Sequence, residues 1–233
     1  MIDYKIEAAK AALPFIKIGQ IVGLGAGTTV SHLVDMVKQD EDLVAGVTFT
    51  SSSFKTTAYL QQCGLKVQSP ALLKKIDVYF DSCDQFDEGL NALKSGGGIH
   101  TTEKILASMA VDFILIGDEG KFVAKLDATY PLVLEILPQA LQMVLGRLSF
   151  EFPGAAIKLR MSTQKDGAVI SDNGNLLADV HFAELPELEK LNVQVKMIPG
   201  VVEHSLFYGI ATKAIIAGKN GIKVITPSVA QRV

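Results

Sequence analysis

Short apolar runs alternate with amphipathic stretches through the first half of this chain, and that alternation restricts its possible folds more than any other feature. "QIVGLGAG" (20–27) reads as a buried strand ending in glycines. "TTVSHLVDMVKQ" (28–39) follows, with Val30, Leu33, Val34 and Val37 at helical spacing and Thr28 or Thr29 placed to cap it. "GVTFTSSS" (46–53), "KKIDVYF" (74–80) and "DFILIGD" (112–118) read as further strands. Between them lie the helical segments "SFKTTAYLQQCG" (53–64), closed by Gly64, and "TTEKILASMA" (101–110). A leading helix, "YKIEAAKAALPFI", puts Ile6, Ala9, Leu13 and Ile16 on one face. Strands and helices in alternation imply an α/β fold, an open, mostly parallel sheet with helices on both faces.

From "YPLVLEILP" onward the rhythm changes. Strand "PLVLEIL", helix "PQALQMVLGRL" and strand "AAIKLRM" are followed by a hairpin, "AVISDNGNLLADVHF", turning at Asp172-Asn173-Gly174. Helix "LPELEKLN" and "KMIPGVV" complete a small inserted α+β lobe, and "TKAIIAG" and "GIKVIT" supply two last strands. The expected division is an α/β domain of residues 1–127 with 203–233, and a lobe of residues 128–202.

A net charge of −3 with no Lys/Arg-rich block argues against nucleic acid or a membrane surface as partner. No apolar run approaches the roughly 18 residues that span a bilayer, and the start lacks a signal-peptide core. Cys63 and Cys83 make no disulfide framework, so a cytoplasmic location is expected. Cys63 reads as core or boundary, and His32 and His181 as structural.

Two segments carry chemistry. "GLGAGTT" (23–29) joins a strand to a helix, where free backbone N–H groups and the helix dipole can meet an anion. It is neither a dinucleotide fingerprint, since Thr28 stands where the third glycine would be, nor a Walker A loop. The glycines alone leave a tight turn and an anion cradle equally open; the adjacent hydroxyls favour a small phosphate or carboxylate. The second segment, "FDSCDQFDEG" (80–89), places four carboxylates at the end of a strand, followed by Lys94, Gly96-Gly97-Gly98 and Glu103. A calcium loop fails on spacing because Cys83 and Gln85 interrupt it. A zinc site lacks its ligand pattern. Spacing leaves a magnesium site on Asp81 and Asp84 open, with Lys94 as the alternative source of charge balance. Asp87 and Glu88 read as solvated turn residues. For Glu103, helix capping and an acid/base role weigh equally on spacing alone.

In order, "IVGLGAGTT", "TSSSFKTT", "DSCDQFDEGLNALKSGGGIHTTEK", "PLVLEILP", "SDNGN" and "IPGVVEHSLF" resemble the motif series of the A-type ribose-5-phosphate isomerase family, from about residue 5 to residue 225. The resemblance implies a metal-free, cofactor-free aldose–ketose isomerase acting on a pentose phosphate through an enediolate, as a homodimer or homotetramer. Glu103 then matches the general base, Asp81 the acid linked to ring opening, and Asp84 and Lys94 the groups that hold and polarise the O1/O2 end. Gly25, Ala26, Gly27, Thr28, Thr29, Lys121 and Lys5 match the phosphate grip, and Gly96, Gly97 and Gly98 lie against the substrate. The chain departs from the family pattern at Ala26, Ser82, Gln85, Ser95, His100 and His204; His100 reads as a partly exposed histidine without a role. Two rivals remain: a related sugar-phosphate enzyme, such as an amino-sugar-phosphate deaminase or a CoA transferase, and a non-catalytic sugar-phosphate sensor. No helix-turn-helix fits before the first strand.

Overall fold

The computed structural model describes residues 2–227. The elements, in order, begin with α1 (Tyr4–Ala12), β1 (Ile21–Leu24), α2 (Thr28–Val37), α3 (Glu41–Gly46), β2 (Thr48–Ser51), α4 (Phe54–Gln62) and β3 (Ile76–Asp81). Next come β4 (Gln85–Phe86), β5 (Ala92–Leu93), α5 (His100–Met109), β6 (Ala110–Asp118), β7 (Leu132–Ile136), α6 (Leu141–Glu151), β8 (Ala156–Leu159) and β9 (Leu176–His181). The last are α7 (Leu188–Lys196), β10 (Val201–His204), β11 (Leu206–Phe207), β12 (Lys213–Gly218) and β13 (Gly221–Ile225).

The main sheet runs β13-β12-β6-β3-β1-β2, parallel except for β13, which folds back on β12. Side chains alternate across it. Val78 and Phe80 of β3 join a core built with Ala9, Ala12, Val30, Leu33, Val34, Val37 and Leu60 from the helices on one face. Tyr79 points the other way, into a cluster with Leu106 and Ala107 of α5. A four-stranded antiparallel sheet, β10-β7-β9-β8, packs Leu132, Leu134 and Ile136 against Val144 and Leu148 of α6 and Leu191 and Val195 of α7. The α/β architecture read from the alternation is therefore present. Its assigned residues 228–233 lie outside the described residues.

Several local expectations are corrected. The buried face of α1 is Ala8, Ala9 and Ala12, with Ile6 more than a third exposed, because small side chains let the helix lie close on β6 and β12. Neither Thr28 nor Thr29 caps α2: Gly27 (φ 110°) occupies that position, and the two threonines are the first helical residues. The turn at 171–175 forms, with Gly174 N–H donating to the Ser171 carbonyl at 2.9 Å. Its leading arm is limited to single bridges such as Ile170 with Leu176. A three-stranded sheet, β11-β5-β4, was not anticipated; two-residue strands carry too few positions to show a period.

Candidate active site

β1 and β3 are parallel neighbours, so their carboxyl ends finish side by side at the rim where open α/β sheets bind ligands. Gly25 N–H donates to the Phe80 carbonyl at 2.9 Å, drawing the glycine loop onto the end of β3. A Cβ on Gly25 would fall 1.9 Å from Asp81 Cγ, so only glycine lets the loop approach this closely. Asp81 is fully buried, and four donors converge on it. Ala26 N–H (3.2 Å) and Ser82 N–H (2.7 Å) reach Oδ1; Tyr79 Oη (2.6 Å) and Lys94 Nζ (2.9 Å) reach Oδ2. Tyr79 stays a donor because burial first, and the Asp81 charge second, push its hydroxyl well above its ordinary value.

Lys94 links the two acids. Its ammonium lies 3.2 Å from Glu103 Oε1 as well as 2.9 Å from Asp81, and it also donates to the Ser82 carbonyl. Burial opposes its charge, but Asp81 and Glu103 outweigh that cost and raise its pKa. Glu103, on the first turns of α5, points inward rather than capping the helix, whose leading position is Ile99 with no side-chain cap. Burial and then the Asp81 charge push Glu103 up to about 8, with Lys94 pulling the other way. A base poised near neutrality, a fixed cation beside it and a second carboxylate held as an acceptor are what proton transfer next to a carbonyl requires.

Asp84 does not touch Lys94 in this arrangement. Its Oδ2 accepts from Ser95 N–H at 2.6 Å and Gly96 N–H at 3.0 Å, shaping the glycine run. Gly98 (φ 71°) turns that run into α5, and a Cβ there would meet Leu177 Cδ1 at 2.8 Å. Just after β8, Arg160 pairs with Asp179 of β9 at 2.5 Å and donates to the Ser95 carbonyl at 2.9 Å. Glu135 of β7 is fully buried and accepts from Thr101 at the start of α5, and from Ser171 (2.6 Å), Asn173 (3.1 Å) and Asn175 (2.8 Å). The "SDNGN" turn thus anchors the helix that carries Glu103. Sequence reading missed Arg160 and Glu135; the only signal was a lone acid inside an apolar strand.

Lys121, in the turn after β6, places Nζ 2.7 Å from Ser82 Oγ, beside Gly27. Lys5 is not part of the bonded cluster around Asp81. It lines an open hollow of about 370 Å³ with Ile2, Asp3, Tyr4 and Asp118, the last only three residues before Lys121. Asp87 is a correction: it is buried, accepting from Asn91 N–H at 2.9 Å and from the Asn91 amide, and only Glu88 is exposed. His100 is a second correction: it is fully buried with Nε2–H on the Glu203 carbonyl at 3.3 Å, and burial pulls it down to about 4. Among the described residues, no group of three or more His, Cys, Asp or Glu side chains is arranged to hold a metal ion.

A sequence model described as ribose 5-phosphate isomerase A (phosphoriboisomerase A) matches residues 48–221. The chain is 36% identical to the ribose-5-phosphate isomerase A of Pyrococcus abyssi over 227 residues, spanning 96% of this chain and 97% of that one. It is 37% identical to that of Methanothermobacter thermautotrophicus, over the same 227-residue length. This chain belongs to the ribose 5-phosphate isomerase A family. Among solved members, the enzyme from Methanocaldococcus jannaschii superposes with a TM-score of 0.88 at 31% identity, covering 96% of this chain and 98% of that one. A D-ribose-5-phosphate isomerase in complex with phospho-erythronic acid gives 0.89 at 32% identity, covering 96% and 97%.

Against ribose 5-phosphate isomerase A, the departures acquire physical roles. Gln85 exchanges two hydrogen bonds with Asp127, donating Nε2 to Oδ1 at 2.9 Å and accepting from the Asp127 N–H at 3.0 Å. An acid at 85 would face that carboxylate with no proton to offer. Ser95 donates its hydroxyl to the Pro131 carbonyl at 2.6 Å, tying the glycine run to the start of β7. His204 is buried, with Nε2–H on the Asn192 carbonyl at 3.0 Å, and burial and Lys104 hold it neutral, with its pKa down at about 3.

Proposed function

We propose that this chain interconverts D-ribose 5-phosphate and D-ribulose 5-phosphate, with Glu103 moving the proton between C1 and C2. The observation that carries the residue assignment is the single ammonium of Lys94 held between Asp81 at 2.9 Å and Glu103 at 3.2 Å in a buried site. Abstraction of the C2 proton develops negative charge on the carbonyl oxygen, and Lys94 is the cation positioned to meet it. Asp81, held among four donors, serves ring opening and proton exchange with the hydroxyls; Asp84 fixes the Ser95–Gly96 backbone against the O1/O2 end. Gly25, Ala26, Gly27, Thr28 and Thr29 present the uncapped start of α2 to the phosphate, with Lys121 as its counter-charge and Lys5 at the outer edge. The α/β part, residues 1–127 with 203–233, carries the chemistry, and the lobe of residues 128–202 steadies its loops.

A phosphate gripped away from the reacting carbons supplies binding energy that orients C1 and C2 under Glu103. No position in this scheme calls for a metal or an organic cofactor. A deaminase would need a histidine to open the ring, and His100 faces the Glu203 carbonyl instead. The family resemblance carries with it a homodimer or homotetramer and a cytoplasmic location. The deciding experiment follows conversion of ribose 5-phosphate by the purified protein, with and without EDTA, beside Glu103→Gln. Turnover that resists EDTA and falls about 10²–10⁴-fold in the variant supports the reading. Wild-type protein that binds the sugar phosphate without converting it points to a sensor.

A further inference from the structure

Building on that reading, we propose that the Ser82 hydroxyl is a phosphate-binding group of this chain, donating to the substrate phosphate from between Lys121 and the start of α2. The Ser82 side chain is held by one hydrogen bond and lies close to the Gly27 turn. Lys121 Nζ lies 2.7 Å from Ser82 Oγ, and a Cβ built on Gly27 would lie 3.8 Å from the same oxygen. The hydroxyl is therefore close both to the cation and to the backbone turn that leads into α2.

The direction of its proton follows from donor counting. An ammonium can only donate, so Ser82 Oγ is the acceptor of the Lys121 bond and its own hydrogen must point elsewhere. Ser82 N–H is already spent on Asp81 Oδ1 at 2.7 Å, and its carbonyl accepts from Lys94. The remaining donor of the residue is its one hydroxyl hydrogen, near the turn at Gly27. The neighbouring loop adds no hydroxyl at Ala26. An O–H polarised by an ammonium and close to the uncapped start of α2 suits a phosphate oxygen, an acceptor.

Because the Lys94 contact uses the Ser82 backbone carbonyl, removing the side chain leaves the reacting end untouched. Ser82→Ala is expected to raise KM for ribose 5-phosphate about tenfold, the size of one lost bond to a charged oxygen, while kcat falls less than about threefold. Titration calorimetry with inorganic phosphate should show Kd rising by the same factor. Ser82→Gly removes the same hydroxyl with no added atom and carries the identical test where the alanine variant fails to fold. An unchanged or lower phosphate Kd in the folded variant overturns the proposal, since Ser82 would then only restrain Lys121. A raised KM with unchanged phosphate Kd overturns it too. Wild-type protein inactive on ribose 5-phosphate would defeat the isomerase reading, while the phosphate titration would still decide the role of Ser82.

Discussion

One ammonium, Lys94, faces two carboxylates, Asp81 and Glu103. As the proposed base, Glu103 must be ionised to take a proton, yet burial and the Asp81 charge raise its pKa to about 8. Free-enzyme kcat/KM should therefore rise with pH toward about 8 and then level off; a profile flat from pH 6 to 9 would remove Glu103 as the base. Lys94→Ala deletes the group that lowers the Glu103 pKa, so the rising limb should move to higher pH while kcat drops by 10²-fold or so. Lys121→Ala should act on the other end of the substrate, raising KM by more than it lowers kcat. An unchanged KM would sink the phosphate assignment.

The glycine loop and α5 carry these residues, and each is fixed by contacts that a local change can test. Gly25→Ala places a methyl 1.9 Å from the Asp81 carboxyl carbon, so it should cost most of the activity with the fold retained by circular dichroism. Glu135→Ala strands the buried donors of Thr101, Ser171 and Asn175 and releases the exposed Asn173 amide. The urea midpoint should fall by the equivalent of at least about 2 kcal/mol, and kcat should fall with it as α5 loosens. The strand ends and glycine runs were legible in the sequence because hydrophobic period and glycine cost leave local traces. Glu135 was not: its partners lie 34 to 40 residues away, and an acid in "PLVLEIL" looks like a solvent-facing position until the turn folds over it. Asp87 was misread for a different reason: its partner, Asn91, is only four residues away, but nothing in the local pattern shows that the turn between them is buried.

Buried ionisable groups also set how the whole molecule responds to acid. His100 and His204 stay neutral to about pH 4 and 3 in the fold but take up protons near 6.5 when unfolded. Glu103 does the reverse, remaining protonated in the fold up to about 8 but ionising above 4.5 in the unfolded chain. Between pH 6.5 and 4.5 unfolding thus takes up two protons and releases one. Stability should fall with pH across this window by about 1.4 kcal/mol per unit, present above 6.5 and lost below it. His204→Asn removes one of the two protons taken up and should flatten the slope, read from urea midpoints at three pH values; an unaltered slope would remove His204 from the account. The switch from strand–helix alternation to an α+β rhythm was visible in the sequence, whereas the ties between the two parts were not, since they run through Glu135, Ser95 and Arg160, whose partners are distant along the chain. Arg160, just after β8, donates to the Ser95 carbonyl in the loop that leads from Lys94 to α5. The lobe proposed for residues 128–202 is for that reason not an interchangeable module. A chimera that took these residues from a relative lacking an arginine at this place would keep Asp81, Lys94 and Glu103 and still lose one of the restraints on the loop between Lys94 and Glu103.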